Sequence, residues 1–209
     1  MNLKFGVLFA LGLWLWAAPP VVMAQAGNAT PPAKGKPMFV QLTTSHGDII
    51  LELHHEAAPR TTANFLQYVQ DGHYAGTIFH RVIPGFMIQG GGLDAAMNER
   101  PTRPPIENEA NNGLFHDRHT VAMARTSDPH SATGQFFINT KKNDFLNFTS
   151  ETTQGWGYAV FGRVVKGQEV VEAIEKTPTT TKAIHEDVPV TPVMIEKAEV
   201  LADYQPDET

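Results

Sequence analysis

The chain has 209 residues, of which 16 are basic and 22 acidic, and it contains no cysteine. This length allows one domain and a targeting segment, and the acidic balance argues against nucleic acid as a partner, because phosphate binding needs clustered Lys and Arg. The lack of cysteine excludes disulfides and thiol catalysis, so core burial must provide the stability.

The first 24 residues have the layout of a secretory signal. Lys4 precedes an apolar run from Phe5 to Ala18, and small residues suited to a signal peptidase end the segment at Ala24. The run is shorter than the roughly 20 residues of a spanning helix, so an uncleaved anchor is the weaker alternative. We expect cleavage before Gln25, which leaves 15 basic against 22 acidic residues, a formal charge of −7, and no membrane association.

The segment that follows, residues 25–37, is rich in Ala, Gly, Pro and Lys and has no period. This composition predicts a short disordered lead-in. The domain proper is expected over residues 38–203, with a C-terminal tail at 204–209.

Short strands separated by turn residues are predicted through most of this domain. The turn residues Ser45-His46-Gly47 indicate a hairpin between the first two strands. The eight predicted strands are Phe39 to Thr43, Asp48 to Leu53, Ile78 to Val82, Phe86 to Gln89, Thr120 to Ala124, Gln135 to Asn139, Tyr158 to Val164 and Val193 to Leu201.

Two helices interrupt the strands. Pro59 suits the first position of a helix and Gly72 its C-terminal stop. Apolar stripes mark the first helix at Phe65, Leu66 and Val69, and the second at Val170, Val171 and Ile174. Eight strands with only two helices cannot form repeated βαβ units, so we predict a mainly β fold: a closed eight-stranded antiparallel barrel with a helix over each end.

Three predicted loops, residues 90–119, 125–134 and 140–157, are longer than a compact domain usually keeps without a function. The first begins with Gly90-Gly91-Gly92. Neither a Gly-Lys-Ser/Thr sequence nor a helical pattern follows these glycines, so we predict a turn rather than a phosphate-binding loop.

The segment from Phe79 to Gln89 places one cation and one amide among large apolar side chains. An arginine in such a run is costly unless its hydrogen bonds are accepted, and both a ligand and a structural carboxylate could accept them. Strand alternation predicts that His80 faces away from Arg81, which favours a structural role for the histidine.

Three segments, FHRVIPGFMIQGG, AMARTSDPHSATGQFFIN and GYAVFGRVVKGQEVVEAI, resemble in order and spacing the cyclophilin family of peptidyl-prolyl cis-trans isomerases. The resemblance extends from about Phe39 to Leu201 and is strongest to bacterial periplasmic cyclophilins. It implies the barrel fold, isomerase activity on proline-containing polypeptides of the periplasm, no cofactor and a monomer. A peptide-binding chaperone with incidental catalysis is the alternative.

The same resemblance implies the site residues. Arg81 matches the donor to the twisted amide, and Gln89 matches the amide that binds a substrate carbonyl. The positions that line the proline pocket are Phe86, Met87, Phe137 and Leu146. The backbone around Ala124 and Arg125 matches the segment that pairs with the peptide, and Gln135 matches a further contact. At the rim, Phe145 stands where tryptophan is familiar and Tyr158 where histidine is frequent, so only weak cyclosporin binding is expected.

Two other site classes are disfavoured by spacing. The nine histidines are scattered, with no cysteine and no His-Glu-x-x-His pattern, so no metal site is predicted. Asp128, His130 and Ser131 are too close in sequence for a hydrolase triad, and Gly-x-Ser-x-Gly is absent.

Overall fold

The computed structural model describes residues 37–206. The predicted signal peptide, nearly all of the lead-in and the last three residues of the tail lie outside this range. The barrel strands are β1 (Met38–Thr44), β2 (Gly47–Leu53), β3 (Thr77–Ile83), β4 (Met87–Asp94), β5 (Thr120–Met123), β6 (Phe136–Asn139), β7 (Val160–Lys166) and β10 (Met194–Leu201). Between them lie helix α1 (Pro59–Gln70), the 3-10 turn η1 (Asp144–Leu146), helix α2 (Gln168–Glu175) and a hairpin of β8 (Thr179–Lys182) and β9 (His185–Pro189).

The eight strands close a barrel in the order β1-β10-β3-β4-β6-β5-β7-β2, and all neighbouring strands are antiparallel. The predicted eight-stranded antiparallel barrel with two helices is confirmed. Alternate side chains such as Val40, Leu42, Ile49 and Leu51 are fully buried in one core, as expected where one face of each strand points inward.

The three consecutive glycines were predicted as a turn, and this prediction is wrong. They lie within β4, which continues to Asp94. Side chains of neighbouring elements leave no room there: a Cβ at Gly92 would collide with Gln135, and Gly91 has φ +85° and packs against Tyr74. Glycine therefore serves close packing within a strand here, which a local turn signal cannot distinguish.

The hairpin of β8 and β9 is absent from the predicted elements. Its first strand, Thr179–Lys182, is polar and largely exposed, so it shows none of the apolar alternation by which strands are recognised. The hairpin forms a separate two-stranded sheet whose second strand packs beside β3. None of the helices within residues 37–206 is long and apolar enough to cross a membrane.

Candidate functional site

A cavity of about 110 Å³ lies against the outer face of the barrel, at strands β3 to β6. Arg81 of β3 pairs with Gln89 of β4, and Gln89 pairs with Phe137 of β6. These three side chains therefore form a row across three strands. The cavity brings together nine of the eleven predicted site residues: Arg81, Phe86, Met87, Gln89, Ala124, Arg125, Phe137, Leu146 and Tyr158.

The floor of this cavity is a second, smaller hydrophobic core. Its buried members are Met87, Ala122, Phe137, Leu146 and Val160. Phe137 follows Phe136 directly, and the two rings belong to the outer and inner cores respectively, because successive strand residues face opposite sides. The result is an apolar hollow of the size of a small ring.

Arg81 stands exposed at the mouth of the hollow. Within residues 37–206 its guanidinium makes no hydrogen bond and no ion pair, so the structural carboxylate that could have explained an arginine here is not found in the described part of the chain. A cation without a protein partner beside an apolar cavity has all its donors available to a ligand.

Gln89 lies next to Arg81 and is held by a second amide. Its Nε2 donates to Oε1 of Gln135 over 3.0 Å. Gln135 does not line the small cavity but the larger cavity beside it, and its hydrogen bond orients the Gln89 side chain.

Arg125 and Tyr158 also line the small cavity. The guanidinium lies 4.6 Å from the centre of the Tyr158 ring, a cation–π contact, and its Nε donates to the carbonyl of Gly157 over 2.8 Å. The backbone N–H of Ala124 donates to the Gln135 carbonyl. This bond ties the segment to the residue just before β6 on one side.

Phe145 is the other predicted residue outside the small cavity. Its side chain is 74% exposed, and its ring lies 5.6 Å from the ring of Phe86, so it forms a rim rather than a wall. Trp156 contacts His130 and Phe148 instead and lines neither this cavity nor the adjoining one.

A second cavity of about 450 Å³ adjoins the first and shares Arg81, Gln89 and Arg125 with it. Residues of the β8–β9 hairpin and of the loop after β4 complete its wall: Glu99, Ile184, His185 and Glu186. The residues of this hairpin show no strand signal, so its contribution to the cavity was not predicted.

His80 was expected to face away from Arg81, and the structure shows a different orientation. The register of β3 on β4 shifts between Phe79 and Arg81, and both Phe79 and Val82 point into the main core. The two residues between them, His80 and Arg81, consequently both line the second cavity. Burial is the main cause that lowers the pKa of His80 to about 4, and the nearby charges of His185 and Arg81 add to it. The imidazole is therefore neutral at pH 7.

The other candidate chemistries find no support in the described residues. No cluster of three or more His, Asp or Glu within residues 37–206 could hold a metal. Asp128 accepts the backbone N–H of His130, and Ser131 donates to the Asp128 carbonyl, so these residues form a loop turn.

Comparison with known proteins gives one consistent result. The sequence pattern described as "Cyclophilin type peptidyl-prolyl cis-trans isomerase/CLD" matches residues 39–200. The chain is 62% identical over 162 residues to the peptidyl-prolyl cis-trans isomerase cyp18 of Streptomyces antibioticus, covering 78% of this chain and 98% of that protein. It is 54% identical over 162 residues to peptidyl-prolyl cis-trans isomerase B of Escherichia coli, covering 78% and 99%.

The fold is similar to that of solved structures as well. A cyclophilin type peptidyl-prolyl cis-trans isomerase of Cryptosporidium parvum superposes with a TM-score of 0.66 at 26% identity, covering 81% of this chain and all of that one.

Proposed function

The chain belongs to the cyclophilin-type peptidyl-prolyl cis-trans isomerases, and we propose that it isomerises X-Pro bonds in the cavity beside Arg81. The observation that carries this assignment is the unpaired Arg81 guanidinium at the mouth of an apolar cavity of about 110 Å³. The family binds proline-containing peptides, and a proline ring fits a small apolar hollow.

The chemistry requires no nucleophile and no metal. The barrier to rotation, about 18 to 20 kcal/mol, comes from amide resonance. When the bond twists, the nitrogen regains a lone pair that can accept a hydrogen bond. A donor such as Arg81 binds this lone pair more strongly than the planar amide, so it favours the transition state over either ground state.

The remaining residues would hold the substrate. Phe86, Met87, Phe137 and Leu146 would enclose the proline ring. Gln89, oriented by Gln135, would donate to a substrate carbonyl. The backbone around Ala124 and Arg125 would pair with the peptide as an added strand.

We further propose that the substrates are exported proteins of a bacterial periplasm, and that the enzyme acts there as a monomer without a cofactor. The support for export is the secretory layout of residues 1–24, and the resemblance to cyclophilins implies a monomer without a cofactor. Mass spectrometry of protein from the native host should find a chain beginning at Gln25; an intact mass that includes Met1 would overturn the periplasmic assignment.

The Arg81→Ala variant tests the mechanism. Loss of one preorganised donor costs about 2.7 to 4 kcal/mol, so kcat/KM should fall about a hundred- to a thousandfold. Arg163→Ala is the matched control, because Arg163 is exposed on β7 and paired with Glu52 away from the cavity. Near-normal rates for Arg81→Ala would rule out Arg81 as the donor.

A further inference from the structure

Three buried polar side chains lie beneath the small cavity, and no step proposed above uses them. His116 precedes β5, Asn139 ends β6 and Asn143 precedes η1; they are 0%, 0% and 3% exposed. Buried polar groups are costly unless they are hydrogen-bonded. These three bond to one another, and we refer to them as the amide–imidazole relay.

The relay connects two residues of the cavity. Nδ2 of Asn143 donates to the Phe86 carbonyl over 2.9 Å and to Oδ1 of Asn139 over 2.8 Å. Nδ2 of Asn139 lies 3.1 Å from Nδ1 of His116, and Nε2 of His116 lies 3.0 Å from the Tyr158 carbonyl.

The two ends of the relay determine the direction of every bond in it. Both ends are backbone carbonyls, which can only accept. The NH₂ group of Asn143 must therefore face Phe86, and its second hydrogen faces Oδ1 of Asn139. The NH₂ group of Asn139 then faces His116, so Nδ1 accepts and Nε2 carries the proton.

A neutral His116 is the only form that satisfies this arrangement. A proton on Nδ1 would point at the NH₂ group of Asn139, donor against donor. Burial lowers the pKa of His116, partly offset by the Tyr158 carbonyl, which is consistent with a neutral ring.

The relay also contacts the cavity through rings and backbone. The imidazole stacks on the Phe137 ring, with centroids 5.7 Å apart and planes 7° from parallel. The Asn143 carbonyl accepts from the N–H of Leu146, whose own carbonyl accepts from the N–H of Tyr158. Four cavity residues, Phe86, Phe137, Leu146 and Tyr158, are thereby tied to one buried network.

We propose that His116, Asn139 and Asn143 are positioning residues of the isomerase, which hold Phe86, Phe137, Leu146 and Tyr158 at the spacing that a proline ring requires. This inference rests on the assignment of the small cavity as the proline site. The proline ring contacts these walls equally in ground and transition states, so loosening them weakens uniform binding and raises KM. Removal of Arg81, in contrast, lowers kcat.

Asn143→Leu removes both donors with little change in volume. We expect KM for a proline-containing peptide to rise at least about tenfold, with kcat within about threefold of the wild type. Asn64→Leu is the matched control: the Asn64 amide also donates to a backbone carbonyl, that of Thr133, but from α1, and it should leave both constants within about twofold. Urea unfolding establishes that both variants are folded under assay conditions.

Unchanged constants in folded Asn143→Leu would overturn the inference, as would equal losses in the Asn64→Leu control. Long-range ¹H–¹⁵N NMR of the wild type at pH 7 provides a test that needs no variant. The expected result is a neutral His116 with its proton on Nε2; a proton on Nδ1 would also overturn it. If instead Arg81→Ala is fully active while Asn143→Leu is impaired, the Arg81 mechanism fails and the relay stands.

Discussion

Phe145 stands on the rim of the small cavity, against Phe86. In cyclosporin-sensitive cyclophilins, a tryptophan indole at the matching position donates a hydrogen bond to the drug. Phenylalanine supplies an apolar face but has no N–H. A bond of this kind contributes about 0.5 to 1.5 kcal/mol, and lost ring contact adds to it, so binding should be weaker by at least about tenfold.

We predict that Phe145→Trp tightens cyclosporin binding by about this factor and changes isomerase rates little, because the rim does not line the cavity. Phe115→Trp is a suitable control, since Phe115 is also exposed and lines neither cavity. Drug titration of the three proteins measures the effect. Tight binding by the wild type would show that another group replaces the indole; Trp156 is turned towards His130 and Phe148.

The lowered pKa of His80 should make the stability of the protein depend on pH. Its pKa is about 4 in the folded chain and about 6.5 when unfolded, because burial, His185 and Arg81 disfavour the charged ring. Between these values the unfolded state binds the extra proton. The contribution to stability is therefore complete above about pH 6.5 and is lost as the pH falls towards 4.

From pH 7 to pH 5 this loss amounts to about 2 kcal/mol. Urea unfolding at the two pH values should show that His80→Gln loses correspondingly less stability than the wild type. Some dependence should remain in the variant, since burial also lowers the pKa of His73 and His116. An identical loss in both proteins would contradict the prediction.

Among the elements, α1 is notable for how its N-terminus is stabilised. Ala58 at the N-cap provides no side-chain hydrogen bond, and the first turn holds no acidic residue. Glu109, from the loop between β4 and β5, accepts instead from the backbone N–H groups of Arg60 and Thr61 and from the Thr61 hydroxyl. A carboxylate here satisfies unpaired N–H groups and complements the helix dipole.

Glu109→Ala should therefore lower the free energy of unfolding by about 1 to 2 kcal/mol. Glu107→Ala is the neighbouring control: it removes only an exposed ion pair with Arg60, for which we expect less than about 1 kcal/mol. Chemical denaturation of both variants decides the matter, and equal effects would mean that the cap contributes no more than a surface charge.

At the scale of the whole molecule, stability must come from the barrel core and the smaller outer core. The chain has no cysteine, and no set of side chains in residues 37–206 has metal-ligand geometry. We predict that neither EDTA nor dithiothreitol changes the melting temperature or the isomerase rate. A lower melting temperature after chelation would indicate a metal that the sequence pattern does not predict.

Much of the architecture was predictable because it depends on the local periodicity of apolar residues along the chain. Alternating apolar residues between turn signals located all eight barrel strands, and only β4 ended far from its predicted limit. Proline and glycine located the limits of α1. The three segments that resemble cyclophilins indicated eleven site residues, and nine of these line one cavity.

What only the tertiary structure decided involves partners far apart in the chain. The shift in register that turns His80 and Arg81 towards the same cavity arises from the pairing of β3 with β4. The β8–β9 hairpin forms part of the wall of that cavity, although its sequence shows no apolar alternation. The relay joins Phe86, His116, Asn139, Asn143 and Tyr158. A sequence period reports which face of an element is apolar, whereas hydrogen-bond partners and register depend on which elements the closed barrel brings together.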